Sequence, residues 1–120
     1  MRKLLIGSLV SLLMFASCKK VFDSGDEKNY PPVAYFRQSD YTIYLRETIE
    51  FNASGSYGRG TDIVKYEWDF DDGIIGFGEI KKHAYNEVGE FYPKLTVIDS
   101  KGDSASCYNP LGKNVNVLAK

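Results

Sequence analysis

Residues 63–70 alternate between apolar and polar side chains, a pattern typical of a β-strand with one buried face. The apolar side chains expected on that face are those of Val64, Tyr66, Trp68 and Phe70. The dipeptide Asp72-Gly73 follows, and it favours a turn because glycine tolerates positive φ and aspartate hydrogen-bonds nearby backbone. The rest of the chain has to cover the apolar face of this strand.

Other short runs rich in β-branched and aromatic residues surround this strand, at 33–36, 41–45, 48–52, 74–77, 80–85, 90–98 and 114–118. Turn signals separate them about every 8–12 residues, and no run has helical periodicity. The sequence therefore predicts an all-β fold, a β-sandwich. Pro93 interrupts the run at 90–98, and because proline cannot donate to a ladder, a bulge or an unpaired edge is expected there.

The N-terminal residues follow the pattern of an exported protein. Two basic residues precede an apolar run that ends at Ala16, which is typical of a signal peptide and too short for a membrane span. Phe15-Ala16-Ser17-Cys18 resembles the lipobox of bacterial lipoproteins, which implies lipidation of Cys18. We therefore divide the chain into a signal peptide (1–17), a lipidated tether (18–32) and a folded domain (33–120).

Lipidation would anchor the protein to a bacterial membrane through Cys18. Lys19 is not the aspartate that favours inner-membrane retention in enterobacterial lipoproteins, so the outer membrane is favoured, with surface and periplasmic orientations both open. Cys107 then lacks an intrachain partner, and a small buried apolar role is favoured over a reactive thiol. Asp103-Ser104-Ala105 resembles the O-glycosylation acceptor of exported Bacteroidetes proteins.

The composition excludes some classes of partner. The chain has 15 basic and 16 acidic residues, so it offers no basic field for nucleic acid. The part after the tether is long enough for one modest core, which leaves no room for a separate catalytic domain.

Several motifs in order resemble those of PKD domains. Residues 66–73 (Tyr-Glu-Trp-Asp-Phe-Asp-Asp-Gly) are similar to the family's Trp-Asp-Phe-Gly-Asp-Gly signature, with Asp71 in place of the middle glycine. His83-Ala84-Tyr85, the Gly89 turn and the strand at 95–98 match the family's later motifs, and 51–56 matches an earlier one. The resemblance implies an immunoglobulin-like β-sandwich of about seven strands. It assigns structural roles to Trp68, Asp69, Phe70, Asp72, Gly73, His83, Tyr85 and Gly89.

The cluster of Asp69, Asp71 and Asp72 is the main candidate for chemistry. A hydrolase is disfavoured because a small sandwich offers no cleft to desolvate paired carboxylates. Calcium is a weaker alternative, since the spacing misses that of an EF-hand, and no other cofactor is expected. His83 is interpreted as a structural hydrogen-bonding residue rather than a metal ligand or catalytic base.

Tyrosines are the better functional lead, because so small a core cannot bury all of them. Exposed tyrosines can stack on sugar rings or contact a protein, although ordinary half-buried strand tyrosines are the alternative. The candidates are Tyr41, Tyr44, Tyr57, Tyr92 and Tyr108. We expect a non-catalytic envelope lipoprotein that binds carbohydrate or protein; the alternative is a structural accessory subunit of an envelope complex.

Overall fold

The computed structural model describes residues 30–120, and that part of the chain is built from β-strands without a helix. The predicted signal peptide, Cys18 and most of the predicted tether lie outside the described residues. The strands are β1 (Arg37–Gln38), β2 (Thr42–Tyr44), β3 (Thr48–Asn52), β4 (Ile63–Asp69), β5 (Ile75–Phe77), β6 (Ile80–Ala84), β7 (Gly89–Phe91), β8 (Lys94–Asp99), β9 (Ser104–Cys107) and β10 (Val115–Leu118). The prediction of an all-β sandwich is confirmed, with ten short strands where about seven were expected.

The strands form three hydrogen-bonded groups. β1, β3 and β6 make one antiparallel sheet in the order β1-β3-β6, and a four-stranded sheet has the order β5-β4-β8-β9. The third group has the order β2-β10-β7, with β2 parallel and β7 antiparallel to β10. β7 leads directly into β8, and β9 leads into β10 through residues 108–114. The β8–β9 pair of the second group and the β7–β10 pair of the third are therefore two halves of one interrupted strand pair. No helix from residue 30 onward has the length and apolarity needed to cross a bilayer.

The core between the sheets is largely aromatic. Trp68 on β4 is fully buried and makes an edge contact with Phe36, their ring centroids 5.2 Å apart. Phe51 on β3 lies between Trp68 and Phe70, with centroid distances of 5.5 and 5.3 Å. The Trp68 indole N–H donates to the Gly78 carbonyl at 2.8 Å, so burying this large ring leaves no indole donor unsatisfied.

The side-chain alternation predicted for β4 fails at the start of the strand. Val64 was expected to face inward with Tyr66 and Trp68, but it is 62% exposed. The register against β8 shifts between Ile63 and Lys65, which is a β-bulge. A bulge adds one residue and reverses the facing of those before it, so Ile63 packs against the core instead.

The run at 90–98 is two strands, not one strand with a bulge. β7 pairs with β10 as far as the Phe91–Val115 pair, and β8 pairs with β9 from the Leu95–Cys107 pair. Pro93 lies between them with its side chain fully buried. It lacks the N–H that a continuous ladder would need, so the chain changes partner there. The partner strand is likewise broken, at residues 108–114.

Candidate binding site

The two strand breaks lie opposite each other and form an open pocket of about 400 Å³ lined by Asp71, Tyr92 and Tyr108. Tyr92 follows β7 and Tyr108 follows β9, so the interrupted ladder brings together residues that are distant in sequence. Their side chains are 51% and 59% exposed. Exposed aromatic rings beside a carboxylate are suited to binding a ring-shaped polar ligand.

Asp71 is held by its neighbours in a conformation that few residues adopt. Its φ is 67°, in the left-handed region, which aspartate tolerates better than most residues with a Cβ. Its backbone N–H donates to an Asp69 carboxylate oxygen at 3.0 Å. Its own Oδ2 accepts the backbone N–H of Tyr92 at 3.0 Å. The Asp71 side chain therefore ties the β4–β5 turn to the strand break that carries Tyr92.

Asp72 and His83 support this turn from its core side. Asp72 Oδ1 accepts the backbone N–H of Ile74 at 3.1 Å, and its Oδ2 lies 2.7 Å from His83 Nε2. The His83 ring stacks on Phe70 with a centroid distance of 4.0 Å. Both side chains of the Asp72–His83 pair are largely shielded from solvent. The pair thus fixes the turn and faces the core rather than the pocket.

Tyr85 completes the support. Its ring lies edge-on to His83 with centroids 4.7 Å apart, and its buried hydroxyl donates to the Phe70 carbonyl at 2.9 Å. Burial, followed by the charges of Asp72, Asp71 and Asp69, raises the pKa of Tyr85 well above its ordinary value. The hydroxyl therefore stays protonated and remains a donor.

The Tyr108 side of the pocket is fixed by a buried amide pair. Asn109 Nδ2 donates to Gln38 Oε1 at 2.8 Å, and Asn109 Oδ1 accepts the backbone N–H of Leu111 at 2.8 Å. Gln38 Nε2 lies within hydrogen-bonding distance of the carbonyls of Asp40 and Asn114. This network holds the loop after β9 against β1. The sequence alone pointed to a loop at Asn109 but gave no sign of its partner 71 residues away.

Glu90 contacts the hydroxyl end of Tyr92 and lines a separate depression near β2 and β10. One of its carboxylate oxygens accepts the Tyr92 hydroxyl at 3.3 Å and the Asn114 side-chain amide at 3.3 Å. The Tyr92 hydroxyl is thereby held while about half of the side chain stays exposed. Sequence reasoning did not single out Glu90 or Asn114 as site residues.

The other tyrosines do not join this pocket. Tyr41 precedes β2 and Tyr44 ends it in the third group of strands, and Tyr57 bridges to Val33 near the start of the described chain. The Lys113 ammonium lies 5.8 Å from the centroid of the Tyr41 ring. All three side chains are exposed, but none of them lines the pocket with Tyr108. A depression of about 470 Å³ near β2 and β10 has no aromatic lining residue.

The carboxylates are engaged in holding the turn rather than gathered around a vacant centre. Residues 30–120 contain no group of three His, Cys, Asp or Glu side chains placed to hold a metal ion. Asp69, Asp71 and Asp72 each accept a backbone N–H. The arrangement supplies hydrogen-bond acceptors and exposed tyrosine side chains.

Cys107 is partly buried and packs against the core at the end of β9. Burial raises the pKa of its thiol to about 11. The thiolate is the reactive form of cysteine, so this environment disfavours nucleophilic chemistry at Cys107.

Comparison with known families is decisive for the fold. Residues 29–110, more than half of the chain, match the family model described as PKD domain. The chain belongs to the PKD domain family. Within this PKD domain, the matched segment includes the whole pocket-forming turn and Tyr108, while β10 lies beyond it.

Solved structures agree with this assignment. The PKD domain aligns with the PKD1 domain of the Vibrio cholerae metalloprotease PrtV at a TM-score of 0.62 and 26% identity, covering 74% of this chain and 99% of that one. A structure from a study of the promiscuous specificity of carbohydrate-binding modules from the β-sandwich superfamily aligns at a TM-score of 0.71 and 30% identity. That match covers 78% of this chain and 36% of the other.

Curated relatives are much longer proteins. Collagenase ColA of Clostridium perfringens is 38% identical over 74 residues, which is 62% of this chain and 7% of the collagenase. Collagenase ColA of Bacillus cereus is 29% identical over 77 residues, 64% of this chain and 8% of the collagenase. The PKD domain thus spans less than a tenth of these relatives, and it is similar to a small part of each.

Proposed function

We propose that this PKD domain is a non-catalytic binding module that recognises carbohydrate through the Asp71–Tyr92–Tyr108 pocket. The observation that carries the proposal is the pairing of two half-exposed tyrosine rings with a fixed carboxylate at an open pocket. Tyrosine faces stack on the apolar faces of pyranose rings, and the Asp71 carboxylate accepts hydrogen bonds from sugar hydroxyls. The similarity to a structure from work on carbohydrate-binding modules supports the same class of ligand.

The similarity to collagenases supports a binding role rather than a catalytic one. The shared segment is a small part of each collagenase, and the pocket carboxylates here are hydrogen-bonded to backbone without a deep cleft around them. Catalytic carboxylates need desolvation to separate their pKa values, which an open surface does not provide. A protein ligand for the same surface is the alternative that the binding experiment distinguishes.

The binding experiment compares two pocket variants with one matched control. Tyr92→Ala and Tyr108→Ala each remove one ring of the pocket, whereas Tyr57→Ala removes a ring of similar exposure that lies outside it. On a glycan array followed by calorimetry, we expect both pocket variants to lose about 5- to 150-fold in affinity, taking for a stacked sugar the 1–3 kcal/mol order of magnitude of a base stacked on one aromatic ring. Equal losses in all three variants, or none, would refute the proposed site.

We further propose that the domain is displayed on a bacterial envelope by lipid attached to Cys18. The proposal is supported by the basic, apolar and small-residue order before Cys18 and by the polar tether that follows it. Protease shaving of intact cells, with wild type and Cys18→Ala compared after membrane fractionation, tests it. A Cys18→Ala protein that still sediments with membranes would overturn anchoring. Cleavage only after the envelope is opened would place the domain in the periplasm.

A second candidate, a structural accessory subunit of an envelope complex, is favoured by one specific surface. β5 is an edge strand of its sheet and carries Ile75 and Phe77, which are 47% and 56% exposed, on its outer face. An exposed apolar edge strand is able to accept an extended strand from a partner protein. Phe77→Lys would abolish co-purification of such a partner while leaving glycan binding intact; the reverse result would remove this candidate.

A further inference from the structure

We propose that the pocket selects sugars that carry a free amino group, as in glucosamine-type oligosaccharides, over N-acetylated, neutral and acidic sugars. This inference rests on the proposed carbohydrate-binding function and names the ligand class. It follows from the Asp71 carboxylate, which lines the pocket beside the two tyrosine rings.

The first carboxylate is that of Asp71, which lines the pocket itself. Its Oδ2 accepts the Tyr92 backbone N–H, and no hydrogen bond is found to its Oδ1 among residues 30–120. A second carboxylate, that of Glu90, accepts the Tyr92 hydroxyl at the end of the ring and lines the separate depression near β2 and β10. A sugar ring stacked on Tyr92 in the pocket therefore lies beside the Asp71 carboxylate.

Cations of the protein do not neutralise these groups. The ion pairs formed within the described part of the chain are Lys65–Glu67 and His83–Asp72, and neither includes Asp71, Asp69 or Glu90. Lys94 stands opposite Asp69 in the β4–β8 ladder, but its ammonium lies beyond ion-pair distance of the Asp69 carboxylate. The Asp71 carboxylate in the pocket is therefore available to a cationic ligand.

The carboxylates of this turn also raise the pKa of a neighbouring group. Burial is the main cause of the raised pKa of Tyr85, and the charges of Asp72, Asp71 and Asp69 add to it. Those three carboxylates thus act together on one side of the turn. A ligand ammonium placed at the pocket meets the same sign of potential, which attracts a cation and repels an anion.

The tyrosine rings add a second preference for a cation. The negative face of an aromatic ring attracts an ammonium group, whereas an N-acetyl group at the same sugar position carries no charge. Stacking of the pyranose ring contributes equally to both sugars. The difference between them is set by the amino group alone, through its contacts with ring faces and with Asp71.

The experiment uses oligosaccharides of one length that share a backbone but differ at one substituent. Isothermal titration compares chitosan, chitin and cello-oligosaccharides, and we expect the first to bind about tenfold more tightly than the other two, from one exposed ion pair and one cation–π contact. Raising the salt from about 0.1 M to about 1 M shortens the screening length from about 10 Å to about 3 Å and should remove most of this preference.

Asp71→Asn separates charge from shape. Asparagine tolerates positive φ and keeps an oxygen for the Tyr92 N–H, so the turn is retained while the charge is lost. The preference for the amino sugar should fall to about twofold in this variant. Glu87→Gln removes an exposed carboxylate elsewhere and should keep the full preference. Thermal unfolding of each variant checks that the fold is intact.

The outcomes are distinguishable. Binding of all three oligosaccharides with equal affinity, lost in Tyr108→Ala, would overturn the amino-sugar inference and leave carbohydrate binding standing. Tight binding of chitosan that survives both Asp71→Asn and Tyr108→Ala would refute this pocket as the site of selection. Absence of binding to any oligosaccharide would overturn both proposals together.

Discussion

Replacing Tyr85 with phenylalanine removes a single hydroxyl from beneath the candidate site. The ring is fully buried between His83 and Phe91, and its hydroxyl donates to the Phe70 carbonyl at 2.9 Å. Phenylalanine keeps the ring and its stacking, so the change isolates the hydrogen bond. The Phe70 carbonyl then lacks this donor in a buried position.

Leaving a buried acceptor unsatisfied costs about 1–3 kcal/mol of unfolding free energy. For a domain of this size each kcal/mol lowers the melting temperature by about 4–8 °C, so a decrease of at least about 4 °C is expected. Calorimetry at neutral pH measures it, provided unfolding is two-state. The matched control is Tyr108→Phe, where the hydroxyl is exposed and the melting temperature should change by less than about 2 °C.

Equal melting temperatures for Tyr85→Phe, Tyr108→Phe and wild type would refute the reasoning. They would mean that the carbonyl finds another donor, such as water, and that the hydroxyl has no net stabilising effect. A decrease of the same size in both variants would show instead that tyrosine hydroxyls matter through the unfolded state rather than through the Phe70 bond.

Further expectations concern other hydrogen-bonded side chains of the domain. Burial raises the pKa of Asp99, but hydrogen bonds from the Asp103 backbone, the Thr61 hydroxyl and the Lys101 backbone outweigh it and lower the pKa from 3.8. The stability lost in Asp99→Asn, measured as the difference in melting temperature, should therefore be largest at neutral pH, begin to shrink as pH falls through about 4, and vanish only below the lowered pKa of the folded state. Asn109→Ala leaves the buried Gln38 amide oxygen unpaired, so it should lower the free energy of unfolding by about 1–3 kcal/mol and weaken ligand binding at Tyr108. The exposed control Asn86→Ala should change neither the unfolding free energy nor the binding. Because the turn carboxylates already accept backbone N–H groups, the melting temperature should be equal in calcium and in chelator. An increase with calcium would contradict this expectation and show that the folded domain binds the ion.

The strands with regular alternation could be predicted from the sequence. β3 at Thr48–Asn52 and β10 at Val115–Leu118 bury alternate residues as the pattern indicates, because each has one face on the core. The side-by-side placement of His83 and Tyr85 follows from the same period of two. Local patterns predict a strand correctly where burial of one face is the main contribution to its stability.

β9 was not predicted, and the reason is its position. Its sequence, Ser-Ala-Ser-Cys, has small side chains, because an edge strand covers little of the core and its outer residues meet solvent. The bulge at Val64 was missed for a related reason: a one-residue shift in register leaves no mark in the local sequence.

The pocket could be predicted only in part. Tyr108 and Tyr92 were both recognised as surplus tyrosines, but their proximity depends on two strand breaks facing each other across a ladder. Pro93 marked one break, whereas the break at 108–114 is fixed by the Asn109–Gln38 contact, which no local rule reveals. Long-range pairing decided which of five tyrosines became neighbours.

The replacement of the family's middle glycine by Asp71 links stability to function, and reversing it tests that link. Glycine at this position would relieve the left-handed backbone strain, which is about 1 kcal/mol. It would also remove the exposed hydrogen bond to the Tyr92 N–H, which contributes a similar free energy. The unfolding free energy of Asp71→Gly should therefore lie within about 1 kcal/mol of wild type. The pocket, however, would lose its carboxylate. We therefore expect Asp71→Gly to fold normally and to lose at least about tenfold in affinity for the amino sugar. A variant that binds as tightly as wild type would show that Asp71 shapes the turn and takes no part in recognition, whereas Asp71→Asn with intermediate affinity would show that its hydrogen-bonding oxygen and its charge contribute separately.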